Sequence, residues 1–173
     1  MTNSEGCLSA KEMPVDLLCP DDRLGTEGEV KRIAGVFSKP FVLNESQCEV
    51  EDWNDPIRGK VRWRTLLSSD RTPTDSLTMG VAELRADADV GFKLHRHDQA
   101  ESYYILSGRG VVSISATEHA LAPGDAVFIP GGALHGARCV GAEPLRLIYV
   151  FAADGFDQIR YEFLSGADVP PKL

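Results

Sequence analysis

Four side chains in this 173-residue chain have the types and spacing of a metal site. His95, His97 and Glu101 lie two and four residues apart in the stretch GFKLHRHDQAESYYILSGRG, residues 91–110. On an extended strand, side chains an even number of residues apart share a face. Tyr103 follows at the same parity, so all four would point one way. Phe92 before them and Tyr104 and Ile105 after them are apolar or aromatic. A polar row aimed into such surroundings is unfavourable to bury unless something binds it. His135 follows the Gly-rich turn PGGA, residues 130–133, and would add a third imidazole if its strand packs beside the first. Three imidazoles and one carboxylate suit one divalent transition metal ion: Fe, Mn, Ni, Zn, Co or Cu. An octahedral ion held by four ligands keeps two open positions, as Lewis-acid or oxygen-activating chemistry requires. Beside such a cation the Tyr103 phenol would lose its proton more easily and act as a general base; the other reading makes it a pocket wall. His119, in TEHALAPGD, fits no ligand position and is expected to be a surface histidine in a turn.

The elements that must hold these residues are short strands. From residue 61 the runs VRWRTLL, LTMGVAELR, GFKLHRH, AESYYIL, VVSISA, AVFIP, LHGARCV and PLRLIYVFAA alternate with turn signals. Strands repeating every 8–12 residues or so indicate an all-β sandwich or barrel, and no helix-length pattern interrupts residues 61–153 to make a parallel sheet. Ahead of the barrel, residues 1–28 are a polar arm. Apolar residues at Val30, Ile33, Ala34 and Phe37 predict a short helix over 29–37, and residues 41–60 are expected to be irregular. The domain reading is an arm over 1–60, a barrel over 61–164 and a tail over 165–173. Near the barrel's end, ADGFDQIRYEFL predicts a helical turn and a last extended piece from Tyr161 to Leu164.

The net charge of −8 argues against nucleic acid or an anionic membrane as partner, because both select basic surfaces. The N-terminus has no apolar signal-type core, and no apolar run approaches a membrane span, so a cytoplasmic protein is expected. Cys7, Cys19, Cys48 and Cys139 form no paired motif and are expected to be free thiols. Arg64, Arg85 and Arg96 are candidates for a substrate carboxylate, though lone arginines are usually solvated. Trp53, Trp63, Phe92 and Met79 are expected in the core or an interface.

The two histidine stretches resemble the paired motifs of the cupin superfamily. His95, His97, Glu101 and Gly108 fit its HxHx3Ex6G pattern, and Gly124, Pro130, Gly132 and His135 fit Gx5PxGx2H. Asp89 stands where the first motif has its leading glycine, and Cys139 where the second has its closing asparagine; neither is a ligand position. The resemblance implies a double-stranded β-helix, or jelly roll, with the metal inside the barrel, and a homodimer.

Within the superfamily the order and spacing are similar to the small single-domain cupins that cleave dimethylsulfoniopropionate. That likeness implies His95, His97, Glu101 and His135 as ligands and Tyr103 as the base that takes the proton beside a bound carboxylate, releasing dimethyl sulfide and acrylate from a small-molecule substrate. Two other readings share the ligand set: an Fe(II) dioxygenase acting on a small molecule, and a non-catalytic metal-binding sensor or binding module. No helix-turn-helix pattern precedes the barrel to favour a DNA-binding regulator.

Overall fold

Alternation of inward and outward side chains builds the sheet. In the run LRLIYVF, residues Leu145, Leu147, Tyr149 and Phe151 are buried and those between are half-buried. In ESYYILS, Glu101, Tyr103 and Ile105 are buried while Tyr104 and Leu106 face solvent. The computed structural model describes residues 40–85 and 91–164. The expected helix over 29–37, Asp89, Cys7, Cys19 and the tail over 165–173 lie outside the described residues.

Among the described residues eleven strands follow in chain order: β1 Glu51–Asp55, β2 Gly59–Leu67, β3 Thr78–Leu84, β4 Phe92–Arg96, β5 Glu101–Ser107, β6 Gly110–Ile114, β7 Thr117–Leu121, β8 Ala126–Ile129, β9 His135–Cys139, β10 Leu145–Phe151 and β11 Glu162–Phe163. They form one antiparallel sheet in the order β7-β6-β9-β4-β2-β3-β10-β5-β8, with β1 beside β2 and β11 beside β4. The sheet curls so that its concave face holds Leu84, Ile105, Val112, Ile129, Leu145 and Phe151, all almost fully buried. This is the jelly roll expected from the sequence.

Three local expectations are corrected. Residues 51–55, expected to be irregular, form β1 and pair with β2 from Glu51↔Trp63 to Asp55↔Gly59. Its sequence EDWND carries a single apolar side chain, too little to show a strand. What closes the hairpin is Asp55, whose Oδ1 accepts the N–H groups of Ile57 and Arg58, both at 2.9 Å. Second, TEHAL is a strand, β7, rather than a turn. Its hairpin to β6 turns on Ser115 and Ala116 at φ 48° and 68°, a conformation that usually announces itself with Asn or Gly. His119 is exposed on that strand. Third, one extended strand does not carry His95 through Tyr103. The chain bends at Asp98–Gln99, and β4 and β5 are separated in the sheet by β2, β3 and β10. Curling of the sheet, not strand parity alone, brings the two halves of the motif together.

Candidate metal centre

His95 lies on β4 directly opposite His135 on neighbouring β9. His97 sits just beyond the end of β4, and Glu101 opens β5. The turn before His135 is tied to the bend after His97, because Gly132 N–H donates to the His97 carbonyl at 2.7 Å. Their neighbour Gly131 packs against the same bend: a side chain there would begin 2.1 Å from the Asp98 carbonyl oxygen. The two histidine motifs therefore meet through backbone contacts as well as through their side chains.

The structure brings all four sequence-expected ligands into one buried cluster, with a potential ligand atom from each within 4.8 Å of the others. Each imidazole is oriented by its Nδ1, which lies 2.7 Å from Lys93 O in His95, 2.8 Å from Gln99 O in His97 and 2.8 Å from Ala133 O in His135. A carbonyl can only accept, so Nδ1 carries the proton and the Nε2 lone pair is left for a metal. His95 Nε2 and His97 Nε2 are buried with no hydrogen-bond partner. Leaving a buried polar atom unsatisfied costs about 1–3 kcal/mol. His135 Nε2 and Glu101 Oε2 are 3.0 Å apart, a contact that requires a proton on one of them. An ion in this position would replace that proton and satisfy the orphaned nitrogens, so the donor set fits a divalent transition metal.

The electrostatics agree. Burial, with the neighbouring charge of His135, lowers His95 to about 3 and keeps its ring neutral. Burial alone would raise Glu101, but the close approach of His135 Nε2, at 3.0 Å, and of His97 Nε2, at 3.4 Å, outweighs it and holds the carboxyl below its ordinary range. Tyr103 is buried beside Glu101 and donates to its Oε2 at 3.2 Å. Burial first, and then the Glu101 charge, push the phenol well above its ordinary value.

Glu101 and Tyr103 open onto a cavity of about 300 Å³. Trp53, Trp63, Phe92, Tyr149, Phe151 and Tyr161 supply much of its wall. Trp53 stands 5.1 Å from Trp63 and 5.4 Å from Tyr161, centroid to centroid, both edge-on. Trp53, Trp63 and Phe92 thus belong to the site as well as to the packing, whereas Met79 does not line the cavity. Of the arginines named from the sequence, none lines it: Arg64 donates to the Cys48 carbonyl, Arg96 pairs with Glu162 at 2.8 Å and Arg85 is exposed. The arginine that does is Arg71, paired with Glu51. Nothing in the turn-rich run SSDRTPTDS distinguishes it. Cys48 and Cys139 are free thiols, and neither lines the cavity.

Residues 83–151 match the family model described as a cupin domain. Across a wider stretch, the chain is 34% identical over 128 residues to the dimethylsulfoniopropionate lyase DddW of Ruegeria pomeroyi, covering 74% of this chain and 82% of that one. With the jelly roll and the buried His/Glu cluster, these matches place the chain in the cupin family. Within the family it is similar to that lyase. Two solved structures share the fold: a cupin 2 conserved barrel domain protein from Rhodopseudomonas palustris (22% identity, TM-score 0.59, 70% of this chain and 80% of that one) and the polyketide cyclase RemF from Streptomyces resistomycificus (20% identity, TM-score 0.62, 74% and 89%).

Proposed function

We propose that this protein is a metal-dependent lyase that cleaves dimethylsulfoniopropionate to acrylate and dimethyl sulfide. The observation that carries the reading is Tyr103, whose hydroxyl is hydrogen-bonded to the cluster carboxylate Glu101 and faces an aromatic-walled cavity. His95, His97, Glu101 and His135 would hold the ion, which supplies a seat for a carboxylate oxygen and a positive charge that favours the Tyr103 phenolate. Tyr103 Oη then takes the proton from the carbon next to the carboxylate. The electron pair left behind forms the C=C bond, the C–S bond breaks, and dimethyl sulfide leaves neutral. The faces of Trp53, Trp63 and Tyr161 suit the sulfonium cation before it departs.

Dimethyl sulfide release from the substrate, measured by gas chromatography on metal-loaded protein, tests this. Tyr103→Phe should lower the rate on the order of a hundredfold or more, the range for loss of a general base. Absence of dimethyl sulfide, or undiminished release by Tyr103→Phe, overturns the proposal. Substrate-dependent oxygen uptake in the same assay would move the site to the dioxygenase class. The proposal includes a homodimer, supported by exposed aromatic side chains on β5 and β8.

A further inference from the structure

The cavity wall carries a second polar set that the chemistry at Glu101 and Tyr103 leaves unused. Arg71 grips Glu51 with two hydrogen bonds, Nη1 to Oε2 at 2.6 Å and Nη2 to Oε1 at 2.8 Å. Thr65 Oγ1 lies 2.8 Å from the same Oε2. The Tyr149 hydroxyl makes a longer contact with Thr65 Oγ1, at 3.4 Å. Glu51, Arg71 and Tyr149 all line the cavity. Room for the Tyr149 phenol comes from Gly80, where a Cβ would stand 2.3 Å from Tyr149 Oη.

Counting protons fixes the direction of this chain. An ionised carboxylate only accepts, so the single hydroxyl proton of Thr65 goes to Glu51. Thr65 can then only accept from Tyr149. Across this contact Tyr149 is the donor and Thr65 the acceptor, and the phenol oxygen keeps its own lone pairs. Burial would raise Glu51, but the hydrogen bonds from Arg71 and Thr65 outweigh it and favour the ionised form. Arg71 and Glu51 cancel in net charge; what they contribute is a fixed orientation for Thr65. The wall built by β1, β2 and β10 therefore offers the Tyr149 oxygen and aromatic faces, beside an Arg71 guanidinium gripped by Glu51 and the N–H of Trp63.

We propose that this chain of hydrogen bonds selects ligands whose head is an onium cation, a methylated sulfonium or ammonium, over neutral heads of the same shape. The inference rests on the lyase reading for the ligand's carboxylate end. Tyr149 is the specificity-determining residue, and Thr65 and Glu51 are positioning residues that act through it. Methyl groups on an onium centre carry positive partial charge and neither give nor need a hydrogen-bond proton, which matches the aromatic faces and the Tyr149 oxygen of this wall.

Isothermal titration of the metal-loaded full chain with two probes tests it. One probe is 3-(trimethylammonio)propionate; the other is 4,4-dimethylpentanoate, with the same shape and carboxylate but an uncharged head. The natural sequence should bind the onium probe roughly tenfold more tightly. Thr65→Val, which frees the Tyr149 proton, and Tyr149→Phe should each cut that ratio to about threefold or less while leaving the neutral probe's affinity within about twofold. A purely structural role would weaken both probes together. Equal affinity for the two probes, binding of neither, or a ratio unchanged in both variants overturns the inference. Dimethyl sulfide release is scored separately on the natural sequence. Cleavage with an unchanged ratio sinks this inference alone, and the expected ratios without cleavage sink the lyase reading alone.

Discussion

His95 shows how one buried ring links site chemistry to stability. Its imidazole falls from the ordinary 6.5 to about 3, because burial between β4 and β9 and the proximity of His135 oppose a charge there. The unfolded chain takes up this proton near pH 6.5, and the folded chain not until about pH 3. Between those values the unfolded state binds more protons, so stability is fully present above the upper value and falls as pH drops. The depressed carboxyls Glu101 and Glu51 act in the same direction, but only below their ordinary value of 4.5. In the window from pH 4.5 to 6.5 the lowered His95 imidazole therefore outweighs these carboxyls. We expect chelator-stripped protein to lose up to about 1.4 kcal/mol per pH unit there for this one group, measured by urea denaturation at a series of pH values. His95→Asn should flatten the slope, and an identical slope in the variant would refute the account.

Among the elements, the turn before β9 does more than connect. It bonds to the His97 carbonyl through Gly132 and has no space for a side chain at Gly131. Gly131→Ala should push this turn off the Asp98 bend and misalign His135 with the other ligands. The expected outcome is a drop in metal affinity on the order of tenfold or more, read by competition with a chromophoric chelator, with a smaller change in the melting temperature of the metal-free protein. Equal affinity in variant and natural sequence would show that the two motifs are aligned by their strands alone. The buried cluster of His95, His97, Glu101 and His135 is legible in the sequence because residue types and turn residues point to it. Much of the barrel is legible too, since β5, β6 and β10 alternate and are bounded by turn residues. What stays hidden has physical reasons. β1 is a polar strand held by ladder pairing and an Asp55 turn; β7 follows a turn made by Ser115 and Ala116 without a marker residue; Arg71 and Tyr149 become part of the cavity only when the sheet curls. Trp53 shows both sides: its apolar character is plain, but its place beside Tyr161 depends on contacts more than a hundred residues apart in the chain.

At the scale of the whole molecule, the convex face of the sheet is unevenly covered. Phe128 on β8 is 67% exposed and Tyr104 on β5 is 48% exposed. Ser102 pairs with Phe128 and Tyr104 with Ala126, so the two rings are diagonal neighbours on the outer face. Leu106 continues the strip along β5. On β10, the next strand, Arg146 clamps Glu45 at 2.7 Å and so anchors the segment that follows the exposed side chains of Phe41, Val42 and Leu43. A face of this kind is what a second copy of the chain would cover, since burying large aromatic side chains drives association and the net charge of −8 opposes it only over screened distances. Light scattering coupled to size exclusion should therefore give twice the chain mass, more firmly at higher ionic strength. Introducing charge by the double substitution Tyr104→Glu and Phe128→Glu should shift the population to monomer. Because both side chains point outward, metal content and dimethyl sulfide release per chain should stay within about twofold of the natural sequence. A single-chain mass for the natural sequence would mean that this face stays in water. Loss of activity on dissociation would mean instead that the second copy helps to shape the cavity.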